Sequence, residues 1–188
     1  MQPKTLTTAE LELSVPTESD TSAIFLACQD PVIQHFTTVP VPYLLEHAAG
    51  FIEAATHSWR RGTEATWAIR KDDELVGMIG LRMTGPGEAE LGFWTAPLHR
   101  GQGHVKEAAR AVIDYGFDPC GLGLQRIEWR AHTDNPASAA VARSLGFQYE
   151  GTLRSQGVNG SGERFDSWVA SLLPDDPRRP VSWPEGVC

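Results

Sequence analysis

The stretch of this chain with the clearest chemical character is Arg100-Gly101-Gln102-Gly103-His104-Val105, which comes shortly after Leu91-Gly92-Phe93-Trp94-Thr95. Residue type and spacing there predict a strand, a glycine-rich turn and a helix amino terminus in succession. Such an arrangement binds anions. Glycines let the main chain approach a phosphate closely, several N–H groups converge at the first helical turn, and the helix dipole adds about half a positive charge at that end. Arg100 supplies a cation at the rim. A P-loop would need Gly-Lys-Ser/Thr after its spacer, and none follows Gly101 or Gly103. A dinucleotide fingerprint would need glycine where Lys106 stands, and the preceding strand belongs to an antiparallel meander and not to a β-α-β start.

The elements that must hold this loop can be read around it. Leu11-Glu12-Leu13-Ser14-Val15 alternates as a strand and stops at Pro16. A helix follows, capped by Thr17 or Ser19, with Ile24, Phe25 and Cys28 as its apolar stripe and Asp30-Pro31 beyond its end. After a loop punctuated by Pro40 and Pro42, residues 44–59 carry Leu44, Ala48, Phe51, Ile52 and Ala55 on one helical face. Three short strands then form a meander over residues 66–95, the loop opens a helix through Phe117, and residues 125–131 form a strand. A helix over residues 135–145 and a closing strand pair complete a domain spanning residues 1–173. Residues 174–188, with Pro174, Pro177, Pro180 and Pro184, read as a coil tail.

Composition narrows the classes of function. A chain of 188 residues with 41% hydrophobic and 21% charged residues suits one folded α/β domain. The net charge of −8, with no basic run among aromatics, argues against nucleic acid as a partner, because that binding starts with phosphate neutralisation. Cys28, Cys120 and Cys188 are too scattered for a disulfide framework or a zinc knuckle and fit a reducing cytoplasm. The histidines show no metal-ligand spacing, so no metal is expected. No apolar signal core or membrane-length run is present, which predicts a protein without a membrane partner. A monomer or homodimer is expected.

In order and spacing, Glu90-Leu91-Gly92-Phe93-Trp94, the block from Arg100 to Glu107-Ala108, Asp134-Asn135-Pro136-Ala137-Ser138, Leu145-Gly146-Phe147 and Glu150-Gly151 resemble the GNAT superfamily of N-acetyltransferases. The likeness is to its Rim-type branch, which acetylates protein N-termini and small amines. The superfamily signature Arg/Gln-x-x-Gly-x-Gly/Ala cradles the pyrophosphate of coenzyme A. Two positions depart from the pattern: Val105 replaces a small residue, and Ser155-Gln156-Gly157 stand where some Rim-type enzymes carry a glutamate.

The resemblance implies an α+β, GNAT-like fold with a mixed, mostly antiparallel sheet of about seven strands, flanked by helices and splayed between the strands at residues 88–95 and 125–131. It implies acetyl-coenzyme A as cosubstrate, an amine acceptor, and direct transfer in a ternary complex. Cofactor contacts would come from Phe93, Trp94, Thr95, Arg100, Gly101, Gln102, Gly103, His104, Val105, Asn135, Ser138 and Arg143, the loop acting through its backbone with the His104 imidazole in solvent. Main-chain donors near Trp94 would polarise the thioester, and Ser138 would protonate the leaving thiolate. Four of these residues have a simpler alternative: Asn135 and Ser138 as a helix start, Trp94 as core, Arg143 as a solvated helix residue. Alternation places Glu90, Gly92 and Trp94 on one face, where Glu90 serves either as a base for the ammonium or as the partner of a nearby Arg or Lys. Tyr43, Trp59 and Trp67 are expected to wall the acceptor groove. A non-catalytic acyl-coenzyme A sensor and a nucleotide-binding regulator are the rival readings.

Overall fold

The computed structural model describes residues 1–187. Eight strands form one sheet: β1 (Leu6–Thr7), β2 (Glu12–Ser14), β3 (Glu64–Lys71), β4 (Glu74–Gly85), β5 (Glu88–Thr95), β6 (Arg126–His132), β7 (Gln148–Val158) and β8 (Arg164–Leu172). Their order is β1-β2-β3-β4-β5-β6-β8-β7, with every neighbouring pair antiparallel except β5 and β6. The helices are α1 (Thr21–Ala27), α2 (Pro31–Phe36), α3 (Leu45–Arg61), α4 (His104–Phe117) and α5 (Pro136–Leu145). No helix among the described residues is long and apolar enough to cross a membrane.

Alternation along the strands divides the apolar side chains between two faces. Leu13, Ile69, Ile79, Leu81, Leu91 and Ile127 join Val105, Ala108, Val112 and Ile113 of α4 and Ala139, Ala142 and Leu145 of α5 in the main core. On the opposite face Ala68 and Met78 meet Ile24, Cys28, Ile33, Ala48 and Ile52 of α1, α2 and α3. Each Val, Leu, Ile or Met side chain removed from water in this way contributes about 1.5–3 kcal/mol, and each alanine methyl less. Trp59, Trp67 and Tyr43 belong to these cores, with both tryptophans fully buried and packed edge to face at 4.9 Å. They do not wall a groove: Tyr43 is buried in the second core, and the two indole N–H groups are satisfied inward, Trp59 by the Thr66 carbonyl and Trp67 by that of Lys4.

Two elements go beyond those expected from the sequence. Strand β1 is two residues long. Helix α2 begins where Asp30-Pro31 had signalled a stop: Asp30 Oδ1 accepts the Ile33 N–H at 2.9 Å and Pro31 takes the first helical position. The eighth strand is the difference from the expected seven. Residues 174–187 contain no helix or strand, yet they pack on the domain: Val187 is buried in the main core and Trp183 lies against Trp129 and Tyr149.

Candidate active site

Strand pairing determines where a ligand can enter. Strands β4 and β5 stay in register from Met83↔Ala89 to Gly77↔Thr95, whereas β5 and β6 pair only from Glu88↔Arg126 to Leu91↔Trp129. Beyond Leu91 and Trp129 the two strands part, as the resemblance had implied. The Ala96 N–H donates to Val76 O at 2.9 Å, so by alternation the N–H and C=O of Trp94 also turn toward β4. The N–H groups of Phe93 and Thr95 then turn toward β6, past the last β5–β6 pair. The β5 N–H groups that face the opening of the fork are thus those flanking Trp94 and not its own.

No bulge interrupts β5 between Ala89 and Thr95, so Glu90, Gly92 and Trp94 do share a face. It is the face of α1–α3, since Trp94 packs on the second core while Ala89 and Leu91 lie in the first. Gly92 is exposed, and a methyl group placed on it would meet nothing within 4 Å. Glu90 Oε2 receives Arg82 Nη2 at 2.8 Å from the register partner on β4; among the described residues nothing takes Oε1. Glu128 faces Glu90 across the paired part of the fork and is held by Arg126 and Arg130. Strand alternation in residues 125–131 carried the signal for Glu128, which had not been singled out.

The glycine loop sits at the end of β5. A short 3-10 turn, Pro97–His99, leads into it, and Gly101 and Gly103 adopt φ of +74° and +85°. Both values favour glycine, and a methyl group at either would meet nothing within 4 Å. Gly103 is the N-cap of α4, so no side chain caps the first turn, and among the described residues no acceptor takes the N–H groups of Gly101, Gln102, Gly103, His104 or Val105. Five main-chain donors therefore surround an open turn at the positive end of a helix of 14 residues. Val105 places its branched side chain in the core. The His104 imidazole is also buried, at 3% exposure, with Nε2 against Gln102 Oε1 at 3.2 Å; it was expected in solvent, but the first residue of α4 faces inward.

Arg100 does not point freely into the loop. Its Nη2 meets Asp30 Oδ1 at 2.6 Å, linking the loop to the start of α2. Burial pushes the Asp30 carboxyl up, but Arg100 and the α2 amides outweigh it and hold the group below its usual range.

The other branch of the fork carries the start of α5. Asn135 is its N-cap, with Oδ1 accepting the Ser138 N–H at 3.0 Å, so the capping role is real. Its Nδ2 has no partner among the described residues and remains available to a ligand carbonyl. Ser138 Oγ is half-buried and accepts the Trp129 indole N–H at 3.1 Å. Arg143 lies in the last turn of α5, at the opposite end of that helix from Asn135, and its carbonyl receives the Val181 N–H.

Beyond the parting point β6 carries an aromatic group. His132, the last residue of β6, stacks on Phe165 of β8 at 4.4 Å and meets His35 and Phe36 of α2 at 5.2 and 5.7 Å. The Asp134 N–H donates to His132 Nδ1 at 3.0 Å, which leaves the ring proton on Nε2. Nearby, the Gly160 N–H in the β7–β8 loop donates to the Thr37 carbonyl. This contact joins distant segments, and no local pattern in the sequence announces it.

The acetyltransferase (GNAT) domain family matches residues 10–148. A curated relative, the uncharacterized N-acetyltransferase YoaA of Bacillus subtilis, is 33% identical over 174 residues, covering 89% of this chain and 96% of its own. The ribosomal-protein-serine acetyltransferase of Escherichia coli is 36% identical over 97 residues, covering 50% of this chain and 53% of that protein. Among solved structures, Mycobacterium smegmatis RimJ in complex with a coenzyme A disulfide has the same fold at a TM-score of 0.82, with 21% identity and coverage of 93% of this chain and 91% of that one. A forked sheet, a glycine turn with unpaired donors and these matches lead to one assignment: the chain belongs to the GNAT family of acetyl-coenzyme A-dependent N-acetyltransferases.

Proposed function

We propose that this enzyme acetylates the α-amino group of a protein N-terminus or a small primary amine at the β5–β6 fork, with the following division of labour. The N–H groups of Gly101 to Val105 hold the pyrophosphate of acetyl-coenzyme A, with Arg100 at the rim. Asn135 Nδ2 binds a pantetheine carbonyl, and the N–H groups of Phe93 and Thr95 hold the thioester arm and its carbonyl oxygen. Such preorganised donors contribute a few kcal/mol when charge develops on that oxygen.

The amine enters on the α1–α3 face beside Gly92. It attacks only when neutral, so its proton passes to Glu90, directly or through water, and on to solvent. The C–N bond forms, the C–S bond breaks, and the Ser138 hydroxyl gives its proton to the departing sulfur and regains one from solvent. No acetyl-enzyme forms. The unpaired donors of β5 in line with the glycine turn carry this reading. The ribosomal-protein-serine relative supports a protein N-terminus as one acceptor class. The charge of −8 supports a cationic acceptor over nucleic acid, and the uncrosslinked Cys28 and Cys120 support a reducing cytoplasm, for a monomer or homodimer.

Release of free thiol from acetyl-coenzyme A, measured with a panel of N-terminal peptides, polyamines and amino sugars, tests the proposal. The expected result is thiol release that depends on an acceptor with a free primary amine. Binding of acetyl-coenzyme A with no acceptor-dependent thiol from any member would favour a sensor.

A further inference from the structure

Trp129 stands at the apex of the fork, paired with Leu91 in the last register position before β5 and β6 separate. Its ring is turned to the α5 side and is 1% exposed. The ring is held in place: Trp183 from the C-terminal tail packs on it at 5.5 Å, and Trp183 is itself pinned by its indole N–H on the Phe147 carbonyl at 2.9 Å. The Trp129 indole offers one polar group, a donor N–H, and it points at Ser138 Oγ.

A hydroxyl has one proton and two acceptor lone pairs. Since the indole occupies a lone pair, the Ser138 proton must point elsewhere, and among the described residues no group accepts it. The Ser138 main chain is fixed as well, by Asn135 Oδ1. Both the position of the oxygen and the direction of its proton are therefore constrained beside the opening of the fork. We infer that Trp129 is a positioning residue that orients the Ser138 hydroxyl for donation to the leaving sulfur. This rests on the assignment of Ser138 as the proton donor. An unoriented serine rotor would present its proton to the sulfur for only part of the time, and the fixed indole removes that loss.

The test is a double-mutant cycle of Trp129→Phe and Ser138→Ala, read as kcat and as KM for acetyl-coenzyme A. Phenylalanine keeps an apolar ring and removes the donor N–H together with part of the buried indole, and the cycle separates that packing loss from the loss of the contact with Ser138. One neutral hydrogen bond corresponds to about a fivefold fall in kcat. That fall is expected with KM unchanged, and no further fall is expected when Trp129→Phe is added to Ser138→Ala. If Ser138→Ala lowers kcat while Trp129→Phe does not, or if the two effects multiply, the inference is overturned and Ser138 keeps its role. If Ser138→Ala has wild-type kcat, the assignment of Ser138 fails and the inference with it. A second measurement avoids dependence on folding of the Trp129 variant: the Trp129 indole N–H resonance of the wild-type chain should move upfield in Ser138→Ala. An unmoved resonance would overturn the contact itself.

Discussion

Replacement of Gly103 by alanine separates the cost of backbone geometry from the loss of a binding surface. Gly103 sits at φ +85°, and a methyl group there touches nothing within 4 Å, so the free protein bears only the left-handed backbone penalty. That penalty is about 1–2 kcal/mol, or about 2–8 °C in Tm for a domain of this size. Gly62, which ends α3 at φ +73°, provides the control, since a methyl group there makes only an ordinary 3.7 Å contact with Met1. Both Gly103→Ala and Gly62→Ala should therefore melt a few degrees early. Only Gly103→Ala places a carbon among the donors assigned to the pyrophosphate. Displacing a phosphate oxygen from one charge-assisted hydrogen bond costs about 1.5–3 kcal/mol, which predicts at least about a tenfold rise in KM for acetyl-coenzyme A with kcat little changed. Steady-state kinetics at saturating acceptor, with thermal melts of both variants, provide the comparison. Equal KM values for Gly103→Ala, Gly62→Ala and the wild type would refute the placement of the pyrophosphate in this turn.

Other perturbations address the remaining groups. Arg100→Ala should raise KM for acetyl-coenzyme A severalfold at unchanged kcat; an unaltered KM would confine Arg100 to its pairing with Asp30. Glu90→Gln should abolish the low-pH limb of kcat/KM if Glu90 receives the amine proton, and an intact limb would leave Glu90 only its pairing with Arg82. Asp20, 4% exposed, makes two 2.7 Å bonds to Arg70, so Asp20→Asn should cost about 3–5 kcal/mol in denaturant unfolding because it strands the guanidinium. Burial pushes the Asp20 carboxyl up, but Arg70 and the Thr17 N–H outweigh it and hold it below the ordinary 3.8. The pair's stabilisation is then full above pH 3.8 and is lost as pH falls through the lower folded-state value, a loss that Asp20→Asn should remove from acid-unfolding curves.

The parts of the site legible in the sequence were those set by local backbone rules. Gly101 and Gly103 can be read because only glycine adopts their φ values without strain, and Asn135-Pro136 because caps are local. Alternation alone put Glu90, Gly92 and Trp94 on one face. What was misread was mostly tertiary. Asp30-Pro31 both stops one helix and starts another, and only the Ile33 N–H on Asp30 shows the second use. Trp59 and Trp67 looked available for a groove, yet helix and strand packing buries both. The link from Trp129 to Ser138 depends on how α5 lies against β6, and the Arg100–Asp30 pair joins residues 70 positions apart.

Amide hydrogen exchange with and without acetyl-coenzyme A, resolved to single residues, tests the central claim most directly. The account predicts that the cosubstrate slows exchange at Phe93, Thr95 and Gly101 to Val105, while the amides of β1, β2 and the β3–β4 turn keep their rates. Unchanged exchange at those seven amides, with protection appearing elsewhere, would contradict binding at the fork.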